Sequence, residues 1–279
     1  MRVVRQLLVI VAVWMIGGQC VAAVDGNPWL TLVLGLLVAV LAVPAYRWVV
    51  GRTEQRPVTE LAPEGARSAV GRGVLIGLAL FGAVIVNLAL SGNYHVDGIG
   101  SVGGAVGLIG FMAAAAMTEE LLFRGILFRI IEERAGTWLS LGLTGTLFGL
   151  MHLLNPNASL WGAIAIAVEA GGMLAAAYAA TRTLWLPIGV HFAWNFAASG
   201  IFSTEVSGND TPQGLLDSST SGSHLLTGGD FGPEGSLYAV LFGAMLTGAF
   251  MWMAHRRGRV VPRRSRRVAE AGDTTRVLR

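Results

Sequence analysis

An all-α, polytopic bundle of about eight transmembrane helices is the fold class this chain predicts. Three observations carry that expectation. Hydrophobic residues fill 53% of the 279 positions and charged residues only 13%, against roughly a quarter charged in soluble domains. Several apolar runs reach the roughly 20 residues that a helical span requires. These runs are continuous rather than alternating, which favours helices over the strands of a barrel.

The first run, 7–24, follows Arg2 and Arg5 and has the look of a signal peptide. An uncleaved helix is expected instead, because a second span, 29–50, follows at once. A polar segment, 51–72, sets Arg52, Arg56, Arg67 and Arg72 against Glu54, Glu60 and Glu64. The third span fits 73–91, and a short turn with Asn93 and Asp97 closes this N-terminal region of residues 1–100. A core region is expected over 101–202. Its first helix runs from about 101 to 133, and the next fits 137–153, ended by Asn155-Pro156. The sixth and seventh spans fit 158–181 and 184–202. Residues 203–235 have the Gly-, Ser- and Asp-rich composition of a flexible loop. The last helix fits 236–255, and a basic tail occupies 256–279.

All 20 basic residues are arginine, and seven of them crowd into 256–267. With eight spans, the arginines at the N-terminus, at 47–72, at 124–134, at Arg182 and in the tail share one side. Asp25, Asp97, Asn155, Glu205, Asp210, Asp217, Asp230 and Glu234 fall on the other. Positive charge is retained in the cytoplasm, so both termini are expected there, in a multi-pass protein of the cell membrane. The basic tail reads as a contact for anionic lipid, and no recognition fold accompanies it to suggest nucleic acid. A single cysteine, Cys20, excludes an intrachain disulfide. The glycine pairs Gly73-Gly77, Gly103-Gly107 and Gly145-Gly149 suit close helix packing.

The chemistry concentrates in 111–134, FMAAAAMTEELLFRGILFRIIEER, where Glu119, Glu120 and Arg124 interrupt an apolar run. An ionisable side chain at bilayer depth costs about 2.5–3.5 kcal/mol on insertion scales, which makes it a functional candidate. Glu120 and Arg124 stand at i and i+4 and can pair. Glu119 lies about 100° round the helix from Glu120, so one carboxylate is compensated and the other is available. Phe148 and His152 are four apart in the fifth span, and His191 and Asn195 four apart in the seventh. Counting at about 1.5 Å per residue puts Glu119 and His152 at similar depth, roughly 25 Å from the turn at Ala135-Gly136. The same counting puts His191 shallower, at about 10–14 Å.

This set suits addition of water to an amide, with a carboxylate as general base and His and Asn groups donating to the developing oxyanion. Glu119, His152 and His191 could equally form a two-His, one-carboxylate shell for Zn2+. A proton-coupled transporter would also bury Glu and His, but no paired broken helices or inverted repeat appears. Glu169 in the sixth span matches no motif, and is expected to hydrogen-bond within the bundle or to line a cavity. His95, His224 and His255 read as solvated.

Glu-Glu-x-x-x-Arg (Glu119, Glu120, Arg124), Phe-x-x-x-His (Phe148, His152) and His-x-x-x-Asn (His191, Asn195) together resemble the motifs of the CAAX-processing and bacteriocin-processing (CPBP, or Abi) intramembrane proteases, the CAAX prenyl protease 2-like group. The resemblance covers about residues 104–200. It implies an eight-helix endopeptidase with a cytoplasm-facing cavity, acting on a membrane-embedded or lipid-associated peptide. Glu119 and His152 would then activate the water, His191 and Asn195 would form the oxyanion hole, and Glu120 with Arg124 would hold the helix geometry. The family is called a metalloprotease group, so Zn2+ remains the cofactor alternative. Bacterial members are associated with peptide maturation, bacteriocin immunity or scaffolding, so a non-catalytic scaffold is the competing expectation, and the prenyl substrate does not carry over.

Overall fold

A computed structural model describes residues 2–24 and 26–263; Asp25 and the tail beyond Arg263 lie outside the described residues. Among the described residues, seven helices are long and apolar enough to cross a membrane: α1 (Arg2–Ala22), α2 (Pro28–Glu54), α3 (Ala66–Leu90), α4 (Val102–Ala135), α5 (Thr137–Leu154), α6 (Leu160–Thr181) and α8 (Leu237–Arg256). The expected seventh span, α7 (Trp185–Asn195), has eleven α-helical residues and a six-residue π-helical continuation, Phe196–Ile201. It is an internal helix, with most of its side chains buried.

Local chemistry starts the helices where the chain turns. Asn27 caps α2, with Pro28 in the first turn, where a missing N–H costs nothing. Ser101, Ser159 and Ser236 each accept a hydrogen bond from a backbone N–H at the start of α4, α6 and α8. Trp29 and Trp48 stand exposed near the two ends of α2. Nineteen residues of helix separate them, about 28 Å, close to the hydrocarbon thickness that interfacial tryptophans bracket.

α4 and α6 form the centre, with 61% and 72% of their most apolar windows buried, against 17% for α1 and 28% for α8. Glycines set the distances between helices. A Cβ on Gly77 would stand 2.5 Å from the Val190 carbonyl oxygen of α7, one on Gly35 2.2 Å from the Gly110 carbonyl oxygen of α4, and one on Gly149 2.2 Å from the Ala163 carbonyl oxygen of α6. Gly73-Gly77 and Gly145-Gly149 therefore serve close packing, as expected, whereas Gly103 makes only ordinary contact with Pro28.

The two ends of the bundle differ in kind. One holds the arginines: Arg129 binds Glu54 at 2.7 Å, Arg56 binds Glu60 at 2.7 Å, Arg182 reaches Glu132, and Arg2 reaches Glu133. Burial pushes the Glu60 carboxyl up, but hydrogen bonds from Arg56, the backbone and Tyr46 outweigh it and hold the group below the usual carboxylate range. The other end carries a two-stranded antiparallel sheet of β1 (Tyr94–Ile99) and β2 (Leu216–Thr220), its register irregular between Val96 and Gly98.

The loop 203–235 differs from its composition. It forms β2, a helical turn at His224–Thr227 and two 3-10 turns, and buries Thr204, Ser207, Thr227 and Glu234. Hydrogen bonds to the ends of the helices explain this. Ser101 N–H donates to the Gly214 carbonyl at 2.6 Å, the Asn155 side-chain amide to the Ser207 carbonyl at 2.7 Å, and the Trp161 indole to the Gly235 carbonyl at 2.7 Å.

Candidate active site

Three helices leave α-helical geometry beside the polar residues. α4 becomes π-helical over Leu121–Phe128, directly after Glu119 and Glu120; α6 does so over Ala167–Gly172, around Glu169; α7 does so directly after Asn195. Such turns are frequent at functional positions, because they re-aim side chains and loosen the hydrogen-bond ladder. α5 instead tightens, and His152 opens its closing 3-10 turn.

Arg124 is 1% exposed and binds Glu120 at 2.7 Å. It also donates to the Ala170 and Gly171 carbonyls at 3.0 and 3.3 Å, in the π turn of α6, and lies 4.7 Å from the centre of the Phe148 ring. Phe148 is the hub: its ring centre lies 4.8 Å from that of His152, 5.9 Å from that of His191 and 5.0 Å from that of Phe123.

Both histidines have one nitrogen fixed. His152 Nδ1 lies 2.7 Å from the Phe148 carbonyl oxygen. A carbonyl can only accept, so Nδ1 carries the proton, and Nε2 of the neutral ring is left to accept. His191 Nδ1 lies 2.9 Å from Glu120 Oε1, and its Nε2 lies 3.7 Å from Glu119 Oε2. The second separation exceeds a direct hydrogen bond, so Glu119 is not committed to a partner there. Glu119 is the more open of the two carboxylates, 14% exposed against 0% for Glu120.

Glu119, His152 and Asn195 line one cavity of about 220 Å3 between α1, α2, α4, α5 and α7. His191 stands behind Glu119, against Glu120. All four predicted residues thus converge, including His191, for which counting along the chain placed the ring too shallow. The reason is that α4 runs 34 residues, about 51 Å, longer than the apolar layer. Its charged last turn, Arg129–Ala135, projects beyond that layer, so depth measured from Gly136 was overstated for Glu119.

Other expectations change. Asn155, Val206, Ser207 and Asn209 line the cavity on the side of the arginine-free end. A cavity facing the arginine-bearing end, as the resemblance implied, is not what the structure shows. Glu169 is fully buried, neither of its oxygens has a hydrogen-bond partner, and it does not line the cavity. Instead it packs on Gly243 of α8. His95, His224 and His255 are exposed.

Among the described residues, no three His, Cys, Asp or Glu side chains are grouped so as to hold a metal ion. Glu119, His152 and His191 are not so grouped in this arrangement. The residues as placed do not fit a zinc shell.

One participant carried no signal in the sequence. Glu234, beside the start of α8, accepts hydrogen bonds from the Trp194 indole at 2.8 Å and the Ser207 hydroxyl at 2.7 Å. Burial pushes its carboxyl above the usual range, opposed by Ser207, the nearby His152 and Trp194. It holds Ser207, a cavity residue, against the back of α7. An acidic residue in a polar loop gives no hint of such a role.

The fold and site define a multi-pass helical membrane protein with a largely apolar cavity that holds Glu119, His152 and Asn195. Residues 101–197 match the family model described as Rce1-like, type II CAAX prenyl endopeptidase. All three motifs fall within that stretch, and the match is consistent with the CPBP resemblance. The chain is also 25% identical over 150 residues to "Putative membrane peptidase YdiL" of Bacillus subtilis (strain 168). That alignment takes in 49% of this chain and 59% of the relative, so the chain spans about three-fifths of that protein's length. No solved structure matches the chain.

Proposed function

We propose that this protein is an intramembrane endopeptidase of the cell membrane that hydrolyses a peptide bond in a membrane-associated substrate. One observation carries the reading: Glu119, His152 and Asn195, from three helices, share one cavity, with His191 3.7 Å behind Glu119. The peptidase descriptions of the family model and of the relative support it.

In the mechanism, Glu119 accepts a proton from water while the free Nε2 of His152 orients that water. The water oxygen bonds to the amide carbon, and the former carbonyl oxygen takes the negative charge. Asn195 donates its amide hydrogen to that oxyanion. His191 can donate from Nε2 only as the imidazolium, because its Nδ1–H is given to Glu120. The C–N bond then breaks, and Glu119 passes its proton to the leaving amine, leaving a carboxylic acid and an amine. Glu120 and Arg124 position His191 and α6 rather than react.

The test is cleavage of membrane-anchored peptides by the purified protein in proteoliposomes. Wild type is expected to cleave and Glu119→Gln to be inactive while keeping its thermal transition. Equal cleavage by both would end the proposal. Activity is expected to survive chelation; loss on chelation with recovery on added Zn2+ would contradict the metal-free mechanism.

A further inference from the structure

Every described arginine except Arg124 lies at the end where α1, α5 and α7 begin and where α2, α4, α6 and α8 finish. Among the described residues, the opposite end has no arginine or lysine, and it exposes Asp97, Asp210, Asp217 and Asp230. Arginine asymmetry of this kind orients helical membrane proteins with the basic end in the cytoplasm. The arginine-free end is therefore extracytoplasmic.

The cavity belongs to that end. A second cleft of about 420 Å3 shares Val21, Phe111 and Asn209 with it and continues past Thr31 to Ser101 and Asp210. The two adjoin at those residues, between the extracytoplasmic loops and Glu119. The second cleft reaches Pro28, against which Gly107 packs, and Glu119 lies twelve residues further along α4, roughly 18 Å deeper.

Toward the cytoplasm the cavity is shut. Behind Glu119 come Glu120, Arg124 and Phe148, each no more than 1% exposed, and then Tyr46, whose hydroxyl lies 2.7 Å from the Gly125 carbonyl oxygen. Beyond that, Arg129 clamps Glu54.

Building on the endopeptidase reading, we infer that substrate enters from the extracytoplasmic face. The substrate is a membrane-anchored or membrane-adsorbed peptide with an apolar stretch at the scissile bond and basic residues outside it. Trp14, Val38, Phe111 and Met151 wall the cavity around Glu119 and suit the apolar stretch. Asp210 in the second cleft, with the three other aspartates exposed at that end, favours basic flanks and repels acidic ones.

The experiment uses spheroplasts containing the full chain in a Cys20→Ser background. A charged, membrane-impermeant thiol reagent is applied outside to Ala115→Cys in the cavity, Asn209→Cys at the mouth and Arg67→Cys at the arginine end. Labelling of Ala115→Cys and Asn209→Cys in intact spheroplasts, and of Arg67→Cys only after lysis, is the expected result. Ala115→Cys labelled only from the cytoplasmic face of inverted vesicles would overturn the inference, whatever happens at Asn209→Cys. In the wild type, a lipid-anchored peptide with lysine flanks added outside should be cleaved by intact spheroplasts. Cleavage confined to inverted vesicles would also overturn the inference. No cleavage on either face, with Ala115→Cys labelled from outside, would uphold the entry route and end the endopeptidase reading instead. Changing the lysine flanks to glutamate should raise KM about fivefold at low salt and less at high salt; an unchanged KM would overturn the charge preference.

Discussion

Arg124 is held from three directions: Glu120 on its own helix, two carbonyls of α6 and the face of Phe148. Removing one partner of such a buried pair leaves an uncompensated charge and costs about 3–5 kcal/mol. Arg124→Ala and Glu120→Ala should therefore both lower the thermal transition markedly, and a silent Arg124→Ala would contradict the pairing. Arg124→Lys should not restore stability, because an ammonium cannot span Glu120 and the two carbonyls as a guanidinium fork does. The reacting groups should behave differently. Glu119→Gln should reduce the rate about 10²- to 10⁴-fold and Asn195→Ala about 10²- to 10³-fold, both with little change in the melting temperature. These residues were visible in the sequence because charge and imidazole are rare in apolar helices. Glu234 and Ser207 were not visible: their placement depends on a loop folding back over α7.

Helix extents followed closely from hydropathy, since a continuous apolar run leaves little freedom in where a span begins. The π turns were hidden, because a π turn is a change of backbone register with no compositional mark. Their effect is local and large: Arg124 finds its α6 carbonyls inside one of them. Gly77 sits where α3 meets α7 backbone to backbone. Gly77→Ala should thus shift α7, lower the melting temperature and reduce activity together, whereas Gly82→Ala, with open space around its Cβ position, should leave both unchanged. Equal effects at the two positions, measured by thermal unfolding in detergent, would contradict the contact.

On the scale of the molecule, the arginine-bearing end is a network of ion pairs and the opposite end a folded cap. The first was legible as a run of arginines and glutamates in 51–72. The second was masked by a composition that elsewhere means flexibility, and hydrogen bonds to the helix ends outweighed it. The ion-pair end has a pH signature. Glu60 is held below its usual value near 4.5, so its contribution to stability is full above that value and is lost as pH falls through the lower, folded-state value. Wild type should lose melting temperature as pH drops below about 4.5. The gap between wild type and Glu60→Gln should narrow over the same range, and a gap independent of pH would contradict this assignment.

Hydrolysis in oxygen-18 water tests the central claim most directly. After single-turnover cleavage of a membrane-anchored peptide in proteoliposomes, mass spectrometry reads the new C-terminal carboxylate. Convergence of Glu119, His152 and Asn195 on one cavity, with His191 behind Glu119, predicts heavy oxygen from solvent in that carboxylate with wild type, and no product with Glu119→Gln. Labelled product formed equally fast by Glu119→Gln, or no product with wild type across a broad peptide set, would contradict it.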